Sequence, residues 1–174
     1  MQHHHISLFG ILLFSCLSFS SFADDDLEFE VEFVALNNSG VIAEAEIELI
    51  DNNMIEVSIK ARGLEADKIH PQHIHGHLDS LVNSSCPGLT ANVNDDKIIS
   101  VGEGLPFYGP IVLPLGPFDT VNSKGKLKYK EVFEIDSEFL EVLENRTIIL
   151  HGGTVDGIYI PSLPIACGEI HLDD

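Results

Sequence analysis

The sequence predicts an all-β domain, an antiparallel β-sandwich or flattened barrel with one short helix. Three observations carry that expectation. Apolar and acidic residues alternate with period two, turn signals recur about every ten residues, and one stretch, opening at Asp136-Ser137, reads as a short capped helix.

The chain opens with a segment that is not part of the sandwich. Residues 1–23 of the 174 contain no Asp, Glu, Lys or Arg, and Ile6 to Phe22 is apolar and Ser-rich. Ser21-Phe22-Ala23 ends the run with small residues at both cleavage positions, and Asp24-Asp25-Asp26 follow, so a secretory signal removed after Ala23 is expected. The folded domain is then 24–174, exported to a periplasm or secreted. His3, His4 and His5 stand where a leader usually carries Lys or Arg. Two other readings are a membrane anchor, for which the run is slightly short, and a lipoprotein box Leu13-Phe14-Ser15-Cys16 with lipid on Cys16.

Leu27, Phe29, Val31 and Phe33 alternate with Glu28, Glu30 and Glu32, a half-buried first strand. Val41 to Leu49 repeats the pattern against Glu44, Glu46 and Glu48. Asn37-Asn38-Ser39-Gly40 and Asp51-Asn52-Asn53 are hairpin turns, the second leading into a strand from Met54 to Ala61. Cys86 to about Thr120 is rich in Gly and Pro, with short apolar pieces such as Lys97 to Val101 and Pro110 to Leu115, and reads as a long irregular connection with one or two short strands and a turn at Gly102-Glu103-Gly104. Lys124, Lys126, Lys128 and Lys130 then alternate with other residues on a strand with a solvated basic edge. Asp136-Ser137 caps the one expected helix, to Leu143. Arg146 to His151, Gly157 to Ile160 and Pro164 to His171 supply closing strands.

Charge excludes some partners. The formal charge is −19, which rules out nucleic-acid binding through a basic surface and disfavours docking on anionic lipid. At 44% hydrophobic residues the chain is too apolar for a disordered acidic tail. A free sheet face and a dimer face look alike in sequence, so no oligomeric state is read. Without Cys16 the mature chain has two cysteines, Cys86 and Cys167. An oxidising compartment favours their pairing, the alternative being two buried thiols. Closing a loop of about eighty residues stabilises by about 4 kcal/mol on the chain-entropy account.

The chemistry gathers at His70-Pro71-Gln72-His73-Ile74-His75-Gly76-His77. On an extended strand His73, His75 and His77 share a face, so imidazoles converge on one metal ion at almost no loop cost. A second apolar strand, Arg146 to His151, ends in a histidine followed by Gly152-Gly153. The bland reading of each is a hydrogen-bonded strand histidine; their pairing favours a metal. No G-x-S-x-G elbow, P-loop, G-x-G-x-x-G or C-x-x-C motif is present, and the alternating acids read as a solvated face, so no catalytic residue is assigned.

These residues carry a resemblance. His70-x-x-His73-x-His75, Cys86 a short loop later, and Ala166-Cys167-Gly168-Glu169-Ile170 resemble three motifs of the copper/zinc superoxide dismutase superfamily, over about Leu27 to Ile170. The resemblance implies a Greek-key β-sandwich of the superoxide dismutase-like type. It also implies one copper ion per chain held by His73, His75 and His151, His70 supporting the ligand loop, and a Cys86–Cys167 bridge. His77 is a candidate fourth ligand, and His171 is read as a surface residue.

The departures shape the function. No histidine lies between Cys86 and Lys124, so the bridging imidazolate and zinc loop of that family have no counterpart and zinc is not expected. Pro164 stands where the family's anion-guiding arginine would be, and the stretch from His151 to Cys167 holds Asp156 but no Lys or Arg. A domain of this charge repels superoxide, so copper binding or handling is expected rather than fast dismutation. The alternatives are a copper-only dismutase of modest rate and a non-enzymatic module resembling the chordin-type (CHRD) domain, whose His-Ile-His-Gly and Gly-Glu-Ile segments match Ile74 to Gly76 and Gly168 to Ile170.

Overall fold

The computed structural model describes residues 27–79 and 81–173; the expected leader 1–23, with Cys16, lies outside them. Three strands open the domain as a meander: β1 (Glu28–Ala35), β2 (Ile42–Asp51) and β3 (Met54–Arg62). Their alternation sorts the faces as expected. Val31, Ala45, Ile47, Val57 and Ile59 are buried, whereas Glu30, Glu32, Glu44 and Glu46 are solvated.

Six more strands follow among the described residues: β4 (Gln72–His75), β5 (Ile111–Pro114), β6 (Lys126–Glu134), β7 (Thr147–Val155), β8 (Ile158–Glu169) and β9 (His171–Leu172). They form one curled sheet in the order β5-β4-β7-β8-β1-β2-β3-β6, with β9 added to β1, and every strand pairing is antiparallel. β1 joins two layers: Glu28 to Glu32 pair with β2, and Phe33 to Ala35 pair with β8. The chain passes from the first layer (β1, β2, β3, β6) to the second (β5, β4, β7, β8) and back, the Greek-key sandwich that was expected. The lysine-bearing strand β6 lies at one end of the order.

The core fills the space between the layers. Ile47, Val57 and Ile59 from one belong to the same buried cluster as Ile74, Ile148 and Leu150 from the other, all fully buried. Each such side chain stabilises by about 1.5–3 kcal/mol relative to exposure.

Two local expectations need correction. The long connection holds one short strand, β5, and Lys97 to Ser100 is irregular; helix α1 (Val101–Tyr108) follows, and Gly102-Glu103-Gly104 is part of its first turns rather than a free turn. A capping box overrides the two glycines: Ser100 Oγ accepts from Glu103 N at 3.3 Å, and Glu103 Oε2 accepts from Ser100 N at 2.9 Å. The two closing segments after Gly157 are one twelve-residue strand, β8, with register shifts opposite His151. The expected helix is present as α2 (Ser137–Glu141), capped by Asp136 Oδ1 accepting from Phe139 N at 2.7 Å, and a 3-10 turn, Leu143–Asn145, follows.

Cys86 and Cys167 form a disulfide, as expected. It fastens the long connection over the outer side of the second layer, where Leu36, Tyr108, Ile149 and Cys167 make a second small core. The same strands are thus buried on both sides, and the outer side is where the histidines lie.

Candidate metal centre

Strand pleating assigns the faces. Ile74 on β4 and Ile148 and Leu150 on β7 point to the main core, so His73, His75, Ile149 and His151 project outward. The register sets His73 across from Ile149, which brings His151 within diagonal reach of His73. Ring centroids are 5.1 Å apart for His73 and His151, 5.7 Å for His73 and His75, and 5.8 Å for His75 and His151. One ligand atom from each lies within 4.8 Å of the others. A metal at bonds of about 2.0 Å spaces three nitrogen donors by roughly 3.3–3.5 Å, so the three imidazoles are grouped on the scale of a single-ion site.

Hydrogen bonding fits the imidazoles for this role. His75 Nδ1 donates to Gly109 O and His151 Nδ1 donates to Ser162 O, both at 2.9 Å. Each Nε2 therefore keeps a free lone pair. His75 Nε2, His151 Nε2 and His73 Nδ1 are all buried without a hydrogen-bond partner. Buried polar atoms are normally paired, so three grouped imidazole nitrogens without a hydrogen-bond partner fit the donor set of a cation site.

Electrostatics agrees. Burial pushes His151 down to about 3 and His75 down to about 4; hydrogen bonds to Ser162 and Gly109 oppose the shifts, and the neighbouring imidazoles add to them. Burial also lowers His73. All three are neutral at pH 7, ready to bind a metal without releasing a proton. No carboxylate belongs to the group among the described residues, so the donor set is three neutral nitrogens.

Aromatic rings close the site. Tyr108 stands edge-on to His75 at 4.8 Å and Phe118 edge-on to His73 at 5.4 Å. His75 and His151 are buried, and His73 is half-buried on the accessible side.

The other candidates sort themselves. His70, 2% exposed, places Nδ1 3.0 Å from His151 O and Nε2 3.0 Å from Glu65 O, bracing the backbone of a metal-facing residue. Gly152 has φ +101°, and a Cβ there would meet the Tyr159 hydroxyl and His70 Nδ1, so glycine lets the chain pass beside that brace. His77 is not in the group. β4 ends at His75, and His77 Nε2 donates to Phe107 O at 3.1 Å, so the period-two reading stops one step short of it. His171, exposed on β9, lies across from Glu30. Gly109, Ser162, Glu65 and Phe118 complete the surroundings from distant segments, with no local signal in the sequence. Lys68, also unforeseen, sits over the Tyr159 ring at 5.1 Å.

Fold and site define the class: a Greek-key β-sandwich with a candidate three-histidine metal centre on its outer side. Compared with known proteins, the chain matches no family model and no curated protein. Among solved structures it is similar to two variants of superoxide dismutase 5 from Candida albicans. One is 14% identical over 85% of this chain and 93% of the other, and the second is 12% identical over 86% and 93%; both have a TM-score of 0.45.

Proposed function

We propose that this is an exported, superoxide dismutase-like copper-binding protein that binds or handles one copper ion per chain rather than dismutating superoxide fast. The observation that carries the reading is the trio of buried, unpartnered nitrogens on His73, His75 and His151. Three imidazoles serve copper and zinc alike; copper is preferred through the resemblance of the His70-x-x-His73-x-His75 strand and the Cys86 and Cys167 segments. Export is supported by the leader-like residues 1–23 and by the Cys86–Cys167 disulfide.

Bound copper would supply one-electron chemistry between Cu(I) and Cu(II). The chain's own residues do the rest. Gly109 O and Ser162 O fix the ligand tautomers, Phe118 and Tyr108 shield the rings, and the half-buried side at His73 is the approach for a small molecule. That approach favours a second reading, a copper-only dismutase of modest rate. A CHRD-like module with structural histidines fits less well, because a structural imidazole would spend its second nitrogen on a hydrogen bond.

The test is metal stoichiometry and electron paramagnetic resonance on residues 24–174, beside a His73→Ala/His151→Ala variant. One tightly held copper with nitrogen hyperfine structure, lost in the variant, supports the reading. Weak binding that the variant retains overturns it. Superoxide-dependent turnover then separates the dismutase from the copper carrier.

A further inference from the structure

The outward face of the first layer carries its charges sorted into an acidic region and a cationic region. The register sets Glu28 opposite Glu48, Glu30 opposite Glu46 and Glu32 opposite Glu44. On the neighbouring strands it sets Lys60 opposite Lys128 and Arg62 opposite Lys126. Like charges directly across strands are destabilising, and with Glu48 opposite Glu56 between β2 and β3 six such pairs share one face. The acidic region covers β1 and β2 and reaches Glu56 on β3, and the cationic pairs gather at the diagonally opposite corner of β3 and β6.

The described ion pairs fall on the seam between the halves. Lys60 meets Glu44 at 3.4 Å and Glu46 at 3.7 Å, and Lys130 meets Glu56 at 2.6 Å. No described ion pair reaches Arg62, Lys126 or Lys128. Along the seam the outward residues Ser58 and Val132 are neutral, and Val132 is 42% exposed. Five of the nine Lys and Arg of a chain at −19 stand on this one face.

We propose that this face is a self-complementary docking surface for a second copy of the chain. A two-fold axis lying in the face along the seam stacks the acidic corner of each copy on the cationic corner of the other. The glutamates around Glu30, Glu48 and Glu56 then face the lysines of the other copy, Ser58 and Val132 meet their own counterparts on the axis, and Glu44, which lies on the same line, stays neutralised by Lys60. A linear polyanion would match the cationic half and leave the acidic pairs unexplained; the second copy accounts for both. Four strands and four outward rows span roughly 15 Å by 20 Å. That is below the roughly 800 Å² per partner of stable complexes, so the association is weak and salt-governed. The histidines lie on the outer side of the other layer, so pairing leaves both candidate centres open.

Sedimentation equilibrium of the whole protein at about 0.15 M and about 1 M salt tests this. A monomer–dimer equilibrium that weakens at least tenfold in high salt is expected. Lys126→Glu/Lys128→Glu and Glu30→Lys/Glu48→Lys should each be monomeric with an unchanged circular dichroism spectrum. An equimolar mixture of the two should associate, because each supplies the corner the other lost. A wild-type chain that stays monomeric at high concentration, whether or not it binds a sulfated polysaccharide, overturns the proposal. So does self-association of either variant at wild-type strength.

Discussion

His75 Nδ1 lies 2.9 Å from the carbonyl oxygen of Gly109, so a strand histidine in the candidate centre takes its tautomer from the residue that ends helix α1. The two are 34 positions apart, and the long connection is therefore part of the site rather than a cover over it.

Gly109 is the sensitive end of that bond. Its φ is +76°, and a Cβ there would strike the Gly76 carbonyl and His77 N. Gly109→Ala should lower stability by about 1–3 kcal/mol and shift Gly109 O away from His75. Metal affinity should fall about tenfold or more, by the usual cost of losing a hydrogen bond behind a ligand. Thermal melts of the metal-free protein and a competition titration with a chromophoric chelator separate the two effects.

The opening strands were legible because one physical rule sufficed there. From Leu27 to Ala61 a solvated face and a buried face alternate residue by residue, and the register of β1, β2 and β3 follows. The same period gave His73 and His75, and His151 was legible as a strand-end histidine. What failed was where a local device beat composition. Gly102 and Gly104 suggested a turn, yet the Ser100–Glu103 box starts a helix. His77 continued the spacing, but the strand had ended. Gly109 and Ser162 belong to the site only through folding, and nothing near them in the chain announces it.

Acid should destabilise the metal-free domain through the centre itself. His75 and His151 titrate near 6.5 when unfolded and at about 4 and about 3 when folded. The folded state thus holds fewer protons below pH 6.5. The stability these groups contribute is complete above that pH and is lost as the pH falls towards 3. At about 1.4 kcal/mol per pH unit, the loss amounts to at most a few kcal/mol for each group. Denaturant midpoints between about pH 7 and pH 4 should decline more steeply in the wild type than in His75→Gln/His151→Gln; parallel curves would show that other groups set the slope.

Reducing the Cys86–Cys167 bridge should touch both stability and site. The bridge holds the connection that carries Tyr108 and Gly109 over β7 and β8. A Cys86→Ser/Cys167→Ser variant should lose about 2–5 kcal/mol of unfolding free energy. Hydrogen exchange of the α1 amides should rise before that of the β7 amides, and metal affinity should drop with it.

His77→Ala should leave metal stoichiometry and the copper spectrum unchanged. Its imidazole serves Phe107 O, not the centre, so the expected cost is one hydrogen bond, about 1 kcal/mol of stability. A changed hyperfine pattern in this variant would make His77 a ligand after all.

The same two strands present Ile74, Ile148 and Leu150 to the main core and His73, His75 and His151 to the opposite side. Chemistry and scaffold are thereby written on separate residues of one segment. A lineage can discard the histidines without hollowing the interior, or redraw the donor set without relearning how to fold. The sandwich is in that sense a reusable chassis, and an inert descendant and a metal-loaded one would differ by a handful of substitutions on one side of one layer.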